Sequence, residues 1–595
     1  MLSVWRGSFK LTNGHATFFA YLHPNDRRNA LVDYWLGRIA VFASWYVIYL
    51  VVSTYTIAEI PQHIAGETFV ALDVDLTPTR FFYVFFAAFS IFTWQVIFKG
   101  DVTSDSRLLK LPNGLPPRLP IIAHSQLFWR DYYRHPAERA YQRLETLTNV
   151  AQQCVNNAGL TKYWLRPWGP PIVYVSNPHS IRDVFMLEEF VEVYIGGRAS
   201  RCLPKALISC GFGHPMDLLQ PLLLRKDMIE CEAKHYVSCG KALIEAVRCS
   251  SHSDSMELIE SVSAVVLDAI CAFAIGPDFC ANRADFRASM NVAVDGAANV
   301  LSAPPPSFPI TSWLWQYLSI EGRSIAHATN IITKYIAAEV IRRRRRMKES
   351  PASMAACLAD HLLRQYPSAT NDEIVEDVVA LIVQKYSVVV SGVVWSTCEI
   401  LQAKNMSKKV SLIRQQGRQA VADAVVSNTS TSRNLLHAAE QLDVVMPTLE
   451  RCVREALRLH PPAPALAPLT LLKDVKLSGF TVKAKSEVRL LPYMVQRSCK
   501  YWGGQNDSEL LFKEERWKEG ARAAHQSFSH YEFGAGLLKS VTPESTRKGI
   551  QYICWCLLSE FTVTAVADKS GAMQHIPRSS VLLPSAGYFV TAQKN

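Results

Sequence analysis

Two stretches carry residue types at spacings that could do chemistry. HYEFGAGLLKSV, His530 to Val541, contains a Phe-x-x-Gly run, Phe533 to Gly536, of the kind that leads into a cysteine metal ligand, and it arrives instead at Ser540. A thiolate there would be a strong electron donor to a metal, whereas a serine hydroxyl is far less acidic and gives a weak neutral ligand or a rare alkoxide. In ERCVREALRLHPPAP, Glu455 and Arg458 lie three residues apart on one helical face, so they can pair and still offer the guanidinium to a third group. Taken alone, such a pair reads as ordinary helix decoration. The 14 cysteines form neither C-x-x-C nor a paired Cys/His zinc pattern, so we read them as reduced, buried small hydrophobes. Cys499 has no activating base near it in sequence, and no Gly-rich phosphate loop or Ser-His-Asp arrangement has the required context.

The elements that must position these residues span 595 residues, 49% hydrophobic, enough for one large core or two ordinary ones. The net charge of +11 is dispersed along the chain, which points away from nucleic acid. Ile39 to Ala58 is an uncharged run of about twenty residues, long enough to cross a bilayer, and Phe81 to Phe98 is a shorter second candidate bounded by Arg80 and Lys99. Arg6, Lys10, Arg27, Arg28 and Arg38 precede the first run, and acidic residues fill the loop between the two. The positive-inside tendency then predicts a cytosolic segment 1–38, a membrane anchor 39–98 of one or two helices, and a cytosolic remainder. Prolines 112, 116, 117 and 120 make 99–122 a stiff hinge, and 123–595 reads as one helix-rich domain with small sheets. Helices are predicted at MELIESVSAVVLDAICAFAIG, RSIAHATNIITKYIAAEVIRRRRRMK, NDEIVEDVVALIVQKYSVVVSGVVWSTCEILQ and LDVVMPTLERCVREALRLH, with strands at IVYVS and within VKLSGFTVKAKSEVRLLPY. The basic run Arg342 to Lys348 suits a helix end beside the C-terminal dipole, or an acidic partner or lipid headgroups.

The order of motifs, from LPNGLPPRLPII through Glu455-x-x-Arg458, Arg458-Leu-His-Pro-Pro, YMVQRSCKYWGG and LLFKEERW to HYEFGAGLLKSV, resembles the cytochrome P450 superfamily over nearly the whole chain, and most closely its animal fatty-acid omega-hydroxylase branch. The resemblance implies a mainly α fold with small β-sheets behind an N-terminal membrane anchor. It also implies a buried ion-pair triad of Glu455, Arg458 and Arg516, with Glu514 standing where the family has proline. It implies haem bound near Phe533, Gly536, Ser540 and Arg225, with Ser540 at the position of the iron's cysteine ligand. Electrons would come from NADPH through a partner cytochrome P450 reductase, the substrate would be apolar, of fatty-acid or sterol type, and the site of action would be the endoplasmic reticulum membrane.

Against the family pattern, Leu538 replaces a propionate-binding arginine, Ser540 the cysteine and Thr542 the final glycine. Counting back from Trp395 puts Lys385 at the glycine of the oxygen-side helix, Ser387 at its acid, and Val388 and Val389 at its threonines, so the proton relay is missing. Lys385 is bulky for its place and could reach a propionate or fill the cofactor's space. An early Trp-x-x-x-Arg contact keeps only Arg225, after Pro221. Cys554 and Cys556 follow too far downstream to substitute. Departures at two places far apart in sequence favour a cytochrome P450 fold that has lost ordinary monooxygenation. The alternatives are an active but atypical haem monooxygenase, or a non-catalytic protein that binds lipid in an emptied haem cavity or interacts with a reductase.

Overall fold

The computed structural model describes residues 148, 159–163, 171–187, 191–192, 203–212, 216–250, 256–279, 284–302, 317, 319–350, 357–403, 405–426, 446–502, 508–518, 528–565 and 589–594. Both predicted membrane runs and the proline-rich hinge lie outside these residues. The helices used below are α1 (Pro178–Phe185), α2 (Lys226–Ser250), α3 (Leu258–Ile275), α4 (Ala284–Ser302), α5 (Ile320–Glu349), α6 (Leu358–Gln365), α7 (Asn371–Gln402), α8 (Met406–Val426), α9 (Pro447–Leu459) and α10 (Pro543–Glu560). The strands are β1 (Leu160–Tyr163), β2 (Ile172–Val175), β3 (Val191–Glu192), β4 (Met256–Glu257), β5 (Leu469–Leu471), β6 (Val475–Leu477), β7 (Phe480–Val482), β8 (Glu487–Leu490), β9 (Phe561–Ala565) and β10 (Phe589–Lys594). The fold is mainly helical with small sheets, as the sequence predicts, and the described residues form three of them.

The axis of the fold is α7. Its 32 residues rise over about 48 Å, and Thr370 starts it with a capping box: the Glu373 amide donates to Thr370 Oγ1, and the Thr370 amide donates to the Glu373 carboxylate. From Ile374 onward nearly every side chain is buried, and a helix apolar on all sides is stable only inside a packed core. α7 and α3 are each long and apolar enough to cross a membrane, yet every residue in the most apolar stretch of α7 is buried and so are more than half of those in α3, as in core helices. α2, α3, α5, α9 and α10 pack around or beside α7. α2 and α10 approach closely because each offers glycine at the contact. A Cβ at Gly240 would meet Cys556 Sγ at 2.6 Å, and one at Gly549 would meet the Tyr236 ring at 2.7 Å.

The largest sheet has the order β1-β2-β8-β5-β3, with β2 and β8 parallel in the register Ile172↔Glu487 and the other pairs antiparallel. β6 and β7 form a hairpin whose two-residue loop, Ser478 and Gly479, has positive φ at both positions, the geometry of a tight turn matching strand twist. Asn177-Pro178 caps α1: the Asn177 side chain accepts from the His179 amide and proline occupies the first turn.

The basic run at the end of α5 is pinned from inside the protein. Arg343 is buried and donates to both oxygens of Asp360, Arg342 grips Glu339, Arg344 donates to the Ala369 carbonyl at 2.7 Å, and Arg346 lies 3.5 Å from Asp278. Of its two readings, these bonds favour the helix end. Cys499 sits exposed in the short helix Cys499–Trp502.

Candidate functional site

The three charged residues of the predicted triad meet. Arg458 Nε and Nη2 donate to the two Glu455 oxygens at 2.9 and 2.8 Å, and Arg516 Nε donates to Glu455 Oε1 at 3.3 Å. Because Glu455 and Arg458 are fully buried, the pair is tolerable only if its remaining valences are filled. The Lys513 amide and Trp517 Nε1 also donate to Glu455, Arg458 Nη1 donates to the Gln496 carbonyl, and the guanidinium lies 4.9 Å from the centre of the Trp502 ring. Glu514, at the family's proline position, pairs with Lys409 of α8.

The loop that leads to Ser540 is ordered by its glycines. Gly534 and Gly536 have φ of +69° and +51°, and a Cβ at Gly536 would stand 2.7 Å from the Phe185 carbonyl of α1. The Ser540 amide donates to the Phe533 carbonyl at 2.8 Å, closing the loop, and Phe533 and Leu538 are buried. Upstream, Glu532 is buried between His530, 2.7 Å away, and Arg547, 3.5 Å away. Burial works against its charge, but His530, Arg547 and Arg454 outweigh it and hold the carboxyl down at about 2.

What Ser540 faces decides the character of the site. Its Oγ donates to Gln384 Oε1 of α7 at 3.2 Å. The next residue on α7, Lys385, reaches Glu232 of α2 and the Thr542 hydroxyl, and donates to Thr546 Oγ1 at 3.0 Å. Tyr236 OH donates to Glu232 at 2.9 Å. Lys385 and Glu232 are almost wholly enclosed, at 3% and 4% side-chain exposure, and burial pushes the Lys385 ammonium below its usual range while Glu232 opposes that. Beside them a cavity of about 10 Å³, lined by Glu232, Tyr236, Phe273, Lys385, Val389 and Ile553 among others, has room for about one water. The two sets of departures, far apart in sequence, are therefore one cluster in space.

Apart from Val389, which lines the small cavity, the other residues singled out in sequence do not bond into the cluster. Arg225 precedes α2 with its guanidinium half exposed and bonded to Asp227 at 3.0 and 2.7 Å. Ser387 is buried and turns its hydroxyl back to the Gln384 carbonyl, and Val388 and Val389 are buried apolar residues. Cys554 and Cys556 are buried in α10 with thiols pushed up to about 12 by burial, unsuited to metal ligation. Sequence reasoning did not find Glu232, Tyr236, Gln384 or Thr546. A signal exists for the first: Met228, Glu232, Tyr236, Cys239 and Leu243 fall at helical spacing on the buried stripe of α2, so the acid interrupts an apolar face.

A model of the cytochrome P450 family matches residues 234–591. The chain belongs to the cytochrome P450 family. Similar relatives are cytochrome P450 71A20 of Arabidopsis thaliana, 24% identical over 49% of this chain and 56% of that protein, and 5-epiaristolochene 1,3-dihydroxylase of Nicotiana tabacum, 29% identical over 30% and 33%. Phenylacetaldehyde oxime monooxygenase of Prunus mume is 44% identical over 14% of this chain and 15% of that protein. The chain spans about half the length, or less, of these curated relatives. All three are plant proteins, which gives no support to the expected placement in the animal fatty-acid omega-hydroxylase branch.

Cytochrome P450 proteins typically carry haem, take apolar substrates and draw electrons from a redox partner. The residues present do not fit the haem. An iron ligand and the residues acting on iron-bound oxygen must stand on opposite faces of the porphyrin, separated by at least about 7 Å, two van der Waals contacts of roughly 3.5 Å. Here Ser540 and Gln384 share a hydrogen bond, and Lys385 touches Thr542 and Thr546 across the same gap.

Proposed function

We propose that this chain is a cytochrome P450 fold that does not carry out monooxygenation and acts as a non-catalytic partner in a membrane. The reading rests above all on the direct Ser540–Gln384 hydrogen bond, which joins the two sides between which a haem would lie. The missing thiolate and proton relay point the same way, since each normally lowers a reaction barrier by several kcal/mol. The intact triad and the glycine-ordered loop support retention of the surface that the family presents to a redox partner, with electrons from NADPH no longer used. The anchor 39–98, the hinge 99–122 and the domain 123–595 belong to this reading, with the domain on the cytosolic side of the endoplasmic reticulum.

Haem content per chain and the absorption spectrum of the detergent-purified protein, reduced and exposed to carbon monoxide, test it. Absence of haem together with co-purification of a reductase or an active relative is expected. Near-stoichiometric haem with a thiolate-type Soret band would overturn it, and a non-thiolate band would point to the second reading, an atypical haem protein, which the preserved loop geometry at Gly534 and Gly536 favours.

A further inference from the structure

The Lys385–Glu232 pair is the least expected feature of the core. A lysine buried in the middle of a largely apolar helix, and an acid on the buried stripe of another, each carry a desolvation penalty of several kcal/mol that a neutral side chain would avoid. Both are enclosed, and the lysine's donors are matched by Glu232, Thr542 and Thr546. Thr546 in turn donates to the Thr542 carbonyl, and Tyr236 OH to Glu232, so the network ties together α2, α7 and the start of α10. Ser540, bonded to Gln384 of α7, stands just before α10 in the same neighbourhood.

We propose that the Lys385–Glu232 pair stands in for the prosthetic group: it is an ion-pair keystone that holds α2, α7 and α10 together without haem and closes the porphyrin slot. The inference rests on the haem-free reading above. The chemistry is specific to the pairing. Removing either partner leaves a buried charge alone, whereas replacing both by apolar groups of similar volume restores a compatible core.

The test is a double-mutant cycle on the detergent-solubilised full chain, followed by thermal melting. Lys385→Met and Glu232→Leu are each expected to lower the melting temperature by about 3–5 °C. The double variant is expected to return close to the wild-type temperature. Singles that melt with the wild type, or a double whose loss is the sum of the singles, would overturn the keystone.

A second measurement probes the closed slot without iron chemistry, using the fluorescence of metal-free protoporphyrin IX. Wild type is expected to show no saturable binding, and Lys385→Ala in the Glu232→Leu background to bind it saturably. Equal behaviour of the two proteins, both binding or neither, would overturn closure by Lys385. Haem found in the purified wild type would sink the proposed function itself, whereas additive melting in a haem-free protein would sink only the keystone.

Discussion

The triad around Glu455 and the cluster around Lys385 are both buried ion pairs, and they are built differently. Glu455 accepts from Arg458, Arg516, the Lys513 amide and Trp517, so one carboxylate organises α9 and the segment that follows it, and its main partner is three residues away on the same helix. Lys385 and Glu232 come from helices 153 residues apart and are completed mainly by hydroxyls. The first is a family feature that survives intact. The second occupies the place where the family's chemistry would be. Retention of the one and replacement of the other is the pattern expected when a fold is kept while its cofactor is not.

The largest test of this comparison is Glu455→Gln. It leaves the Arg458 guanidinium buried with a neutral partner, and the fold is expected to lose about 3–5 kcal/mol in denaturant titration. A loss no greater than that of a surface change would mean that the triad does not hold α9 and the segment after it in place.

Acid comes next. The Glu532 carboxyl has its folded value depressed to about 2 from an ordinary 4.5, so its contribution is present above the ordinary value and is lost as pH falls from about 4.5 toward 2. About 3 kcal/mol is involved, and Glu532→Gln should flatten the acid limb of a stability-against-pH curve. An unchanged limb would remove charge from the forces holding the loop beside Ser540.

A smaller effect separates the cluster from the helix that carries it. Thr370→Ala removes the capping box of α7 and is expected to lower stability by about 1 kcal/mol. The cap lies about 22 Å along the helix from Lys385, so its loss should add to that of Lys385→Met. Strong coupling would show that α7 responds as one unit.

The smallest expected change is also the sharpest. Ser540→Cys supplies the missing ligand atom, yet no thiolate-type Soret band is expected, because Lys385 and Gln384 still fill the other side of the gap. A band from this single substitution would mean that position 540 alone separates this chain from a haem protein.

Much of this was legible in the residues. The all-apolar run of α7 with Thr370 and Glu373 at its start, the Asn177-Pro178 cap and the Glu455-x-x-Arg458 spacing are local signals, because caps and i,i+3 pairs are set by neighbours in sequence. The resemblance also sets Ser540 at the family's cysteine position and Ser387 and Val388 at its relay, a register read from motif order alone. That Ser540 bonds to Gln384, that Thr542 is a partner of Lys385, and that Glu232 answers the lysine's charge were decided only by the tertiary structure. A buried charge declares its penalty in sequence but not its partner, since pairing across 153 residues depends on how α2, α7 and α10 pack.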